Sequence, residues 1–253
     1  MSLRLIRLLL ASLAAVSPLA AATPARADPV FLGPSPYLGF ADSPFNAPGF
    51  SYFHLENFED RALNAPGATA SPGWLVIGPP RGFDSLIDSV DADDGAINGS
   101  GSAGRSFYSG GSRTSLTITF SAAALGGNLP THVGIVWTDV GAVTSGTIGF
   151  GPVTFSATDA LGVPLGSIGP FTLGDGAFAG TTAEDRFFGV THAGGISSIT
   201  ISMSNSVDWE VDHLQYGFIQ PTGVIPEPAS VALFGTGLAG LAAYRRFRRR
   251  AAA

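Results

Sequence analysis

The densest group of side chains able to do chemistry lies between residues 84 and 101. Asp84, Asp88, Asp91, Asp93 and Asp94 fall within eleven residues and run into Gly95, with Asn98 and Gly99-Ser100-Gly101 following. Carboxylates set among small turn-forming residues suit a hard cation, since Ca2+ takes about six to eight oxygen ligands from nearby side chains and carbonyls. The spacing Asp91-x-Asp93-Asp94-Gly95 only partly mimics an EF-hand. Ser102 stands at the twelfth position where that loop needs a bidentate Glu, and no helical pattern flanks the segment. Asp88, Asp91, Asp93 and Asp94 are therefore candidate Ca2+ ligands outside any EF-hand. A solvated acidic turn would use the same residue types, so that reading stays open beside the metal. The segment offers neither histidine nor thiol, which disfavours transition metals.

Two further acidic groups stand early and late in the chain: His54-Leu55-Glu56-Asn57-Phe58-Glu59-Asp60, and Asp208-Trp209-Glu210-Val211-Asp212-His213. Their placement resembles that of jelly-roll carbohydrate-binding modules, which hold a structural calcium between an acidic residue of the first strand and an aspartate of the last. The resemblance is one of position rather than of motif. It implies Glu56 and Asp212 as further Ca2+ ligands, whereas Glu210 is expected to flank a strand end in solvent.

Catalysis has less to stand on. A hydrolase needs a general acid and a nucleophile or base held close together. Glu184 and Asp185 are adjacent, so on a strand they face opposite ways. Either could pair with Arg186. Asp139, near Trp137, is a lone carboxylate. The four histidines (His54, His132, His192, His213) share no metal-ligand spacing, and neither a Gly-x-Ser-x-Gly elbow nor a phosphate loop occurs. The chain reads as a binding protein and not an enzyme. A polysaccharide-active glycosidase or lyase is the alternative, and a purely structural matrix component the third reading. Sugar rings stack on exposed aromatic faces, and Trp74, Tyr108 and Trp137 are the candidate platforms for extracellular polysaccharide. Trp137 sits in an alternating apolar strand and is expected in the core. Tyr108, beside a glycine turn, is expected to be more exposed.

Strands must position these groups. Leu116, Ile118 and Phe120 alternate with threonines, and Val133, Ile135 and Trp137 alternate likewise. Residues 147–158 give a third run, Ile196, Ile199, Ile201 and Met203 a fourth, and residues 209–218 the last. Glycine, proline, serine and asparagine fill the connections, and no amphipathic helical pattern exceeds two turns between Val30 and Pro221. This predicts an all-β fold, a single β-sandwich or jelly roll over residues 28–220. Residues 29–50 read as an extended lead-in strand and loop.

Between residues 28 and 226 five arginines face eighteen acids, a net charge of −13, with no lysine. Such a surface argues against nucleic acid and anionic lipid as partners. There is no cysteine, so disulfides and thiol mechanisms are excluded.

The chain ends are of different composition. Arg4 and Arg7, an apolar stretch over residues 8–16 and Ala25-Arg26-Ala27 make a secretory signal peptide over residues 1–27. A linker over residues 221–228 leads into sixteen uncharged residues, 229–244. A basic tail over residues 245–253 carries Arg245, Arg246, Arg248, Arg249 and Arg250, placing it on the cytoplasmic side. Pro226 and Pro228 forbid helix just before residue 229. As helix, sixteen residues rise about 24 Å, short of a roughly 30 Å hydrocarbon core. Val224, Ile225 and arginine snorkelling make up part of that difference.

The order of Pro226-Glu227-Pro228, glycine-containing apolar helix and arginine cluster resembles the PEP-CTERM sorting signal of Gram-negative bacteria. That resemblance implies recognition of Pro226, Glu227 and Pro228 by an exosortase-type membrane protease. It further implies an inner-membrane intermediate and a final place at the cell surface or in the extracellular polymer matrix. A permanent tail anchor is the plainer alternative. The runs Leu-Glu-Asn-Phe-Glu-Asp, Ala-Glu-Asp-Arg-Phe-Phe-Gly-Val and Glu-Val-Asp-His-Leu-Gln-Tyr-Gly are also similar to a group of secreted bacterial proteins with such tails. This implies one domain over residues 53–218.

Overall fold

The computed structural model describes residues 28–46, 49–72, 75–77, 89–90, 104–108, 113–138, 142–143, 152–173, 184–204, 206–207, 209–219, 235–238, 240–241 and 245–246. In chain order the strands are β1 (Val30–Pro36), β2 (Tyr52–Glu56), β3 (Ala68–Ser71), β4 (Leu75–Ile77), β5 (Ser106–Tyr108), β6 (Ser115–Phe120) and β7 (His132–Trp137). They continue with β8 (Ala142–Val143), β9 (Pro152–Asp159), β10 (Pro164–Thr172), β11 (Arg186–Thr191), β12 (Ile196–Met203), β13 (Ser206–Val207) and β14 (Glu210–Phe218). Seven form one antiparallel sheet in the order β1-β11-β7-β14-β5-β4, with β2 also pairing β14. Five form a second, β10-β9-β12-β6-β3, and β8 pairs β13.

The alternating patterns read from the sequence correspond to β6, β7, β9, β12 and β14, and the lead-in strand to β1. Alternation is cleanest in β9, where every second residue is buried. The strands that escaped the pattern have reasons to. In β10 Pro164, Gly166, Gly169 and Pro170 interrupt the alternation, and its pairing with β9 shifts register twice. Such irregularities mark an edge strand. In β11 four consecutive residues, Phe187 to Val190, are buried, because both faces of this strand are covered.

Inner-face residues of both sheets meet in one core. Leu116, Ile118, Val153, Phe155 and Ile199 come from the five-stranded sheet; Ile135, Trp137, Phe188, Val211 and Leu214 come from the other. Burying them supplies most of the cohesion of a chain without disulfides. The seven-stranded sheet is also covered on its outer face. Tyr37, Phe45, Val90, Val136 and Phe187 form a second, smaller cluster there, with Phe50 and Phe53 against it. Its centrepiece depends on two glycines, Gly134 and Gly189, which pair across β7 and β11. The Phe187 ring fills the space that a Cβ on either would occupy.

Residues 1–27 lie outside the described residues, as do Pro226, Glu227, Pro228, Arg248, Arg249 and Arg250. Of the expected sorting helix, residues 235–238 and 240–241 are helical, and Arg245 and Arg246 are helical beyond it. Among the described residues no helix is long and apolar enough to cross a membrane.

Candidate functional site

β14 carries the late acidic group, and one irregularity decides where those side chains go. Val211 pairs with Trp137 and Asp212 with Val136, but the register with β7 then shifts before Gln215. His213 has φ 42, in the left-handed region. A bulge of this kind sets two consecutive residues on one face. Val211 and Leu214 accordingly point into the inner core, while Asp212 and His213 both lie under the outer-face cover.

That cover is tied down by polar contacts. The Tyr37 hydroxyl hydrogen-bonds His213 Nδ1 at 2.9 Å and accepts from Gln215 Nε2 at 2.8 Å. Ser43 Oγ donates to Gln215 Oε1 at 2.5 Å. Asp212 Oδ2 accepts from Ser89 Oγ at 2.9 Å and the Val90 amide at 3.0 Å, and Oδ1 accepts from the His213 amide at 2.6 Å. Asp212 is fully buried. Its carboxylate thus pins the two described residues between Asp88 and Asp91.

Glu56 is buried too, but elsewhere. It pairs with Leu214, an inner-core residue, so its side chain lies on the inner face. There Oε1 accepts from the Phe58 amide at 3.0 Å and Oε2 from the Asn64 amide at 3.2 Å, with His54 Nε2 3.9 Å away. The early and late strands are neighbours, as the carbohydrate-module pattern implied. Yet Glu56 and Asp212 occupy opposite faces of the sheet and are not brought together. Asp88, Asp91, Asp93 and Asp94 lie outside the described residues, as do Asp84, Trp74 and Asp139. Among the described residues no three acidic or imidazole side chains converge closely enough to hold a metal ion.

One expectation is corrected. Glu210 does not stand in solvent: it is 2% exposed and accepts from the Ser106 hydroxyl, because β5 covers it. Arg186 Nη1 donates to the Asp185 backbone carbonyl at 2.9 Å. Glu184 and Asp185 are both buried. Trp137 is fully buried as expected, its indole N–H directed at the Met203 sulfur. Tyr108 is half-buried. The early acids Glu59 and Asp60 are local: Glu59 pairs with Arg105 at 3.0 Å, and Asp60 accepts from the Ala62 amide at 3.1 Å.

The opposite end of the sheet holds what the sequence reading missed, an open cleft of about 810 Å³. Asn128, Thr131, His132 and His192 supply polar groups, and Leu129 and Ile219 supply apolar ones. Thr131 organises it. Its hydroxyl hydrogen-bonds His132 Nδ1 at 2.8 Å and accepts from the Ile219 amide at 3.3 Å, while its backbone bonds Gly217 and His192. Phe45 and Phe50 set ring edges against His132, and burial holds its pKa below the ordinary histidine value. No spacing rule could have paired His132 with His192. They meet because β11 and β7 are antiparallel and Thr191 lies opposite His132. On the inner face burial first, and then neighbouring Tyr52 and Glu56, push the Tyr216 phenol far above its ordinary range, and it donates to the Pro66 carbonyl.

Asp28 and Ile219 both line this cleft. The two ends of the domain therefore leave from one place, and the tail begins five residues after Ile219. Residues 224–250 match the family model of the PEP-CTERM protein-sorting motif. The chain carries a PEP-CTERM sorting signal. PEP-CTERM signals mark exported proteins sorted through the membrane to the cell surface, and they imply an exosortase as processing partner. No curated protein and no solved structure matches the chain.

Proposed function

We propose that this is an exported, surface-displayed interaction domain: a β-sandwich that a PEP-CTERM tail delivers through the membrane by exosortase processing. In this reading it acts on the cell surface or in the extracellular matrix of a Gram-negative bacterium, and its ligand is extracellular polysaccharide. The observation that carries the sorting part is the match over residues 224–250, joined to β14 by a short linker. The cleft beside that linker supports the binding part. Amide, hydroxyl and imidazole groups beside an apolar floor suit a sugar, whose hydroxyls need polar partners while its ring faces need apolar ones. Because Asp28 and Ile219 line the cleft, a tethered domain holds it toward the membrane and release opens it.

A non-enzymatic role fits the described acids better than a glycosidase or lyase does. Glu56 and Asp212 accept hydrogen bonds from their own backbone, deep beneath the surface, rather than facing each other across a cleft. Calcium held by Asp88, Asp91, Asp93 and Asp94 would stiffen the segment that Asp212 anchors.

Two measurements test this. Deleting residues 224–253 is expected to move the protein from the membrane fraction to the soluble exported fraction; an unchanged distribution defeats the sorting role. Residues 28–223 contain both core clusters and should co-sediment with the cell's own insoluble polysaccharide. Asn128→Ala with His192→Ala should then reduce the bound fraction about tenfold. Binding that survives this double variant places the ligand elsewhere, and no binding at all leaves a structural matrix component.

A further inference from the structure

We propose that the end of the sandwich from which the sorting tail departs is a lipid-docking face: Val30, Leu161, Val163 and Ile219 rest on the bilayer surface while the tail tethers the domain. Among the described residues the exposed large apolar side chains are these four, together with Leu238 and Leu241 of the tail itself. The four share one end of the fold. Val30 pairs with Thr191, and Thr191 lines the cleft. Ile219 lines it too, as does Ala160, the neighbour of Leu161. Scattered singly, exposed aliphatic residues are ordinary; gathered around one opening they mark a contact surface.

The hairpin joining β9 to β10 carries the most exposed of them, Leu161 at 83%. Its turn is fixed by Asp159, whose Oδ1 accepts from the Leu161 amide at 2.9 Å and the Val163 amide at 2.8 Å. The Gly162 amide closes the turn on the Asp159 carbonyl at 3.0 Å, with Gly162 at φ 77. Turn tips ordinarily take glycine, asparagine, aspartate or serine. A leucine here adds nothing to the core, yet the buried carboxylate of Asp159 holds it outward in a set position. An apolar tip already held rigid enters an interface with little further loss of freedom.

What covers this face follows from where the chain goes next. The sorting signal begins at Val224, and the five residues beyond Ile219 reach at most about 18 Å. The inference rests on the sorting reading above, in which the tail lies in the membrane: a domain so tethered brings this end to the bilayer first. Asp28 is the only acid or arginine among the residues lining the cleft, so the face carries little charge of its own. The −13 charge of residues 28–226 selects zwitterionic over anionic lipid. A few aliphatic side chains hold a bilayer weakly when free, and a short tether raises their effective concentration to about millimolar. Docking therefore lasts as long as the tether, and exosortase release ends it and uncovers the cleft.

Both core clusters lie wholly within residues 28–223, so this piece folds without the tail. The test tethers it through a C-terminal hexahistidine tag to phosphatidylcholine vesicles that contain nickel-chelating lipid and a spin-labelled quencher lipid. The chain has no cysteine, so a fluorophore placed by Leu161→Cys, or by Ser204→Cys at an exposed position past the far end of β12, reports one place each. Emission at 161 is expected to shift to the blue and to fall about twofold with quencher lipid, while emission at 204 stays unchanged. Val30→Asp with Val163→Asp, both exposed, should leave melting nearly unchanged and abolish both effects at 161. The tag replaces the sorting tail, so failure here counts against the lipid face alone; deletion of residues 224–253 tests the sorting reading by itself. Three results overturn the proposal: equal quenching at 161 and 204, quenching at 161 that survives the two aspartates, or a blue shift without vesicles that grows with protein concentration, which assigns the face to a second copy of the chain.

Discussion

The two ends of the seven-stranded sheet are roughly 20 Å apart along β7, and they are built of opposite materials. At one end Asp185, Thr138, Glu210 and Asp212 are all but sealed from water, and Ser89 and Val90 are fastened onto Asp212. At the other, imidazoles, an amide and a hydroxyl line an open cleft beside Asp28 and Ile219. The first end spends its polar groups holding the protein together. The second sets polar groups along an open cleft, where Asn128 is exposed to a ligand. Burial separates the two roles: a buried carboxylate must be satisfied by its own chain or by an ion, whereas an exposed polar group can wait for a partner.

The comparison can be broken most sharply at Asp212. Asp212→Ala strands three buried donors, and a loss of about 3–5 kcal/mol is expected in urea unfolding. A loss below about 1 kcal/mol would mean that the acidic end is not structural. Phe187→Ala, between the ends, should cost about 3–5 kcal/mol if the outer cover depends on the ring seated over Gly134 and Gly189, and less if the cover collapses into the space. At the cleft, Thr131→Val removes the hydroxyl bonded to His132 Nδ1 and to the Ile219 amide, and about 1–2 kcal/mol is expected. A cost matching that of Asp212→Ala would erase the distinction.

The smallest expected effect is on pH. Burial lowers the His132 pKa in the folded protein, so the unfolded chain takes up the proton first. The contribution from neutral His132 is therefore complete above the ordinary histidine value of 6.5 and is lost as pH falls from there through the folded value. His132→Phe should flatten that part of the stability–pH curve, read from melting temperatures in steps across it. Unchanged steepness in the variant would assign the acid sensitivity to another group.

Much of the fold was legible in residues 115–120 and 196–203, where side chains alternate between one dry and one wetter face. It was illegible in β10, whose prolines and glycines interrupt the pattern, and in β11, where Phe187 and Phe188 are both buried, each on its own face. The acidic residues show the same division. The sequence singled out Glu56 and Asp212 by their places in early and late strands that do prove to be neighbours. It could not show that they lie on opposite faces, because that rests on the pairing of Glu56 with Leu214 and on a bulge at His213 that no spacing reveals.

By itself the sequence determined what depends only on local order along the chain. The PEP-CTERM signal, the strand alternation, the absence of cysteine and the −13 charge of residues 28–226 are all of that kind. The tertiary structure alone decided what depends on register between distant strands. It set Thr138 between Asp185 and Glu210, His132 near His192, and Asp28 beside Ile219. A shift of one residue in any of those pairings would turn each side chain to the other face, and nothing in the neighbouring sequence records which face was chosen.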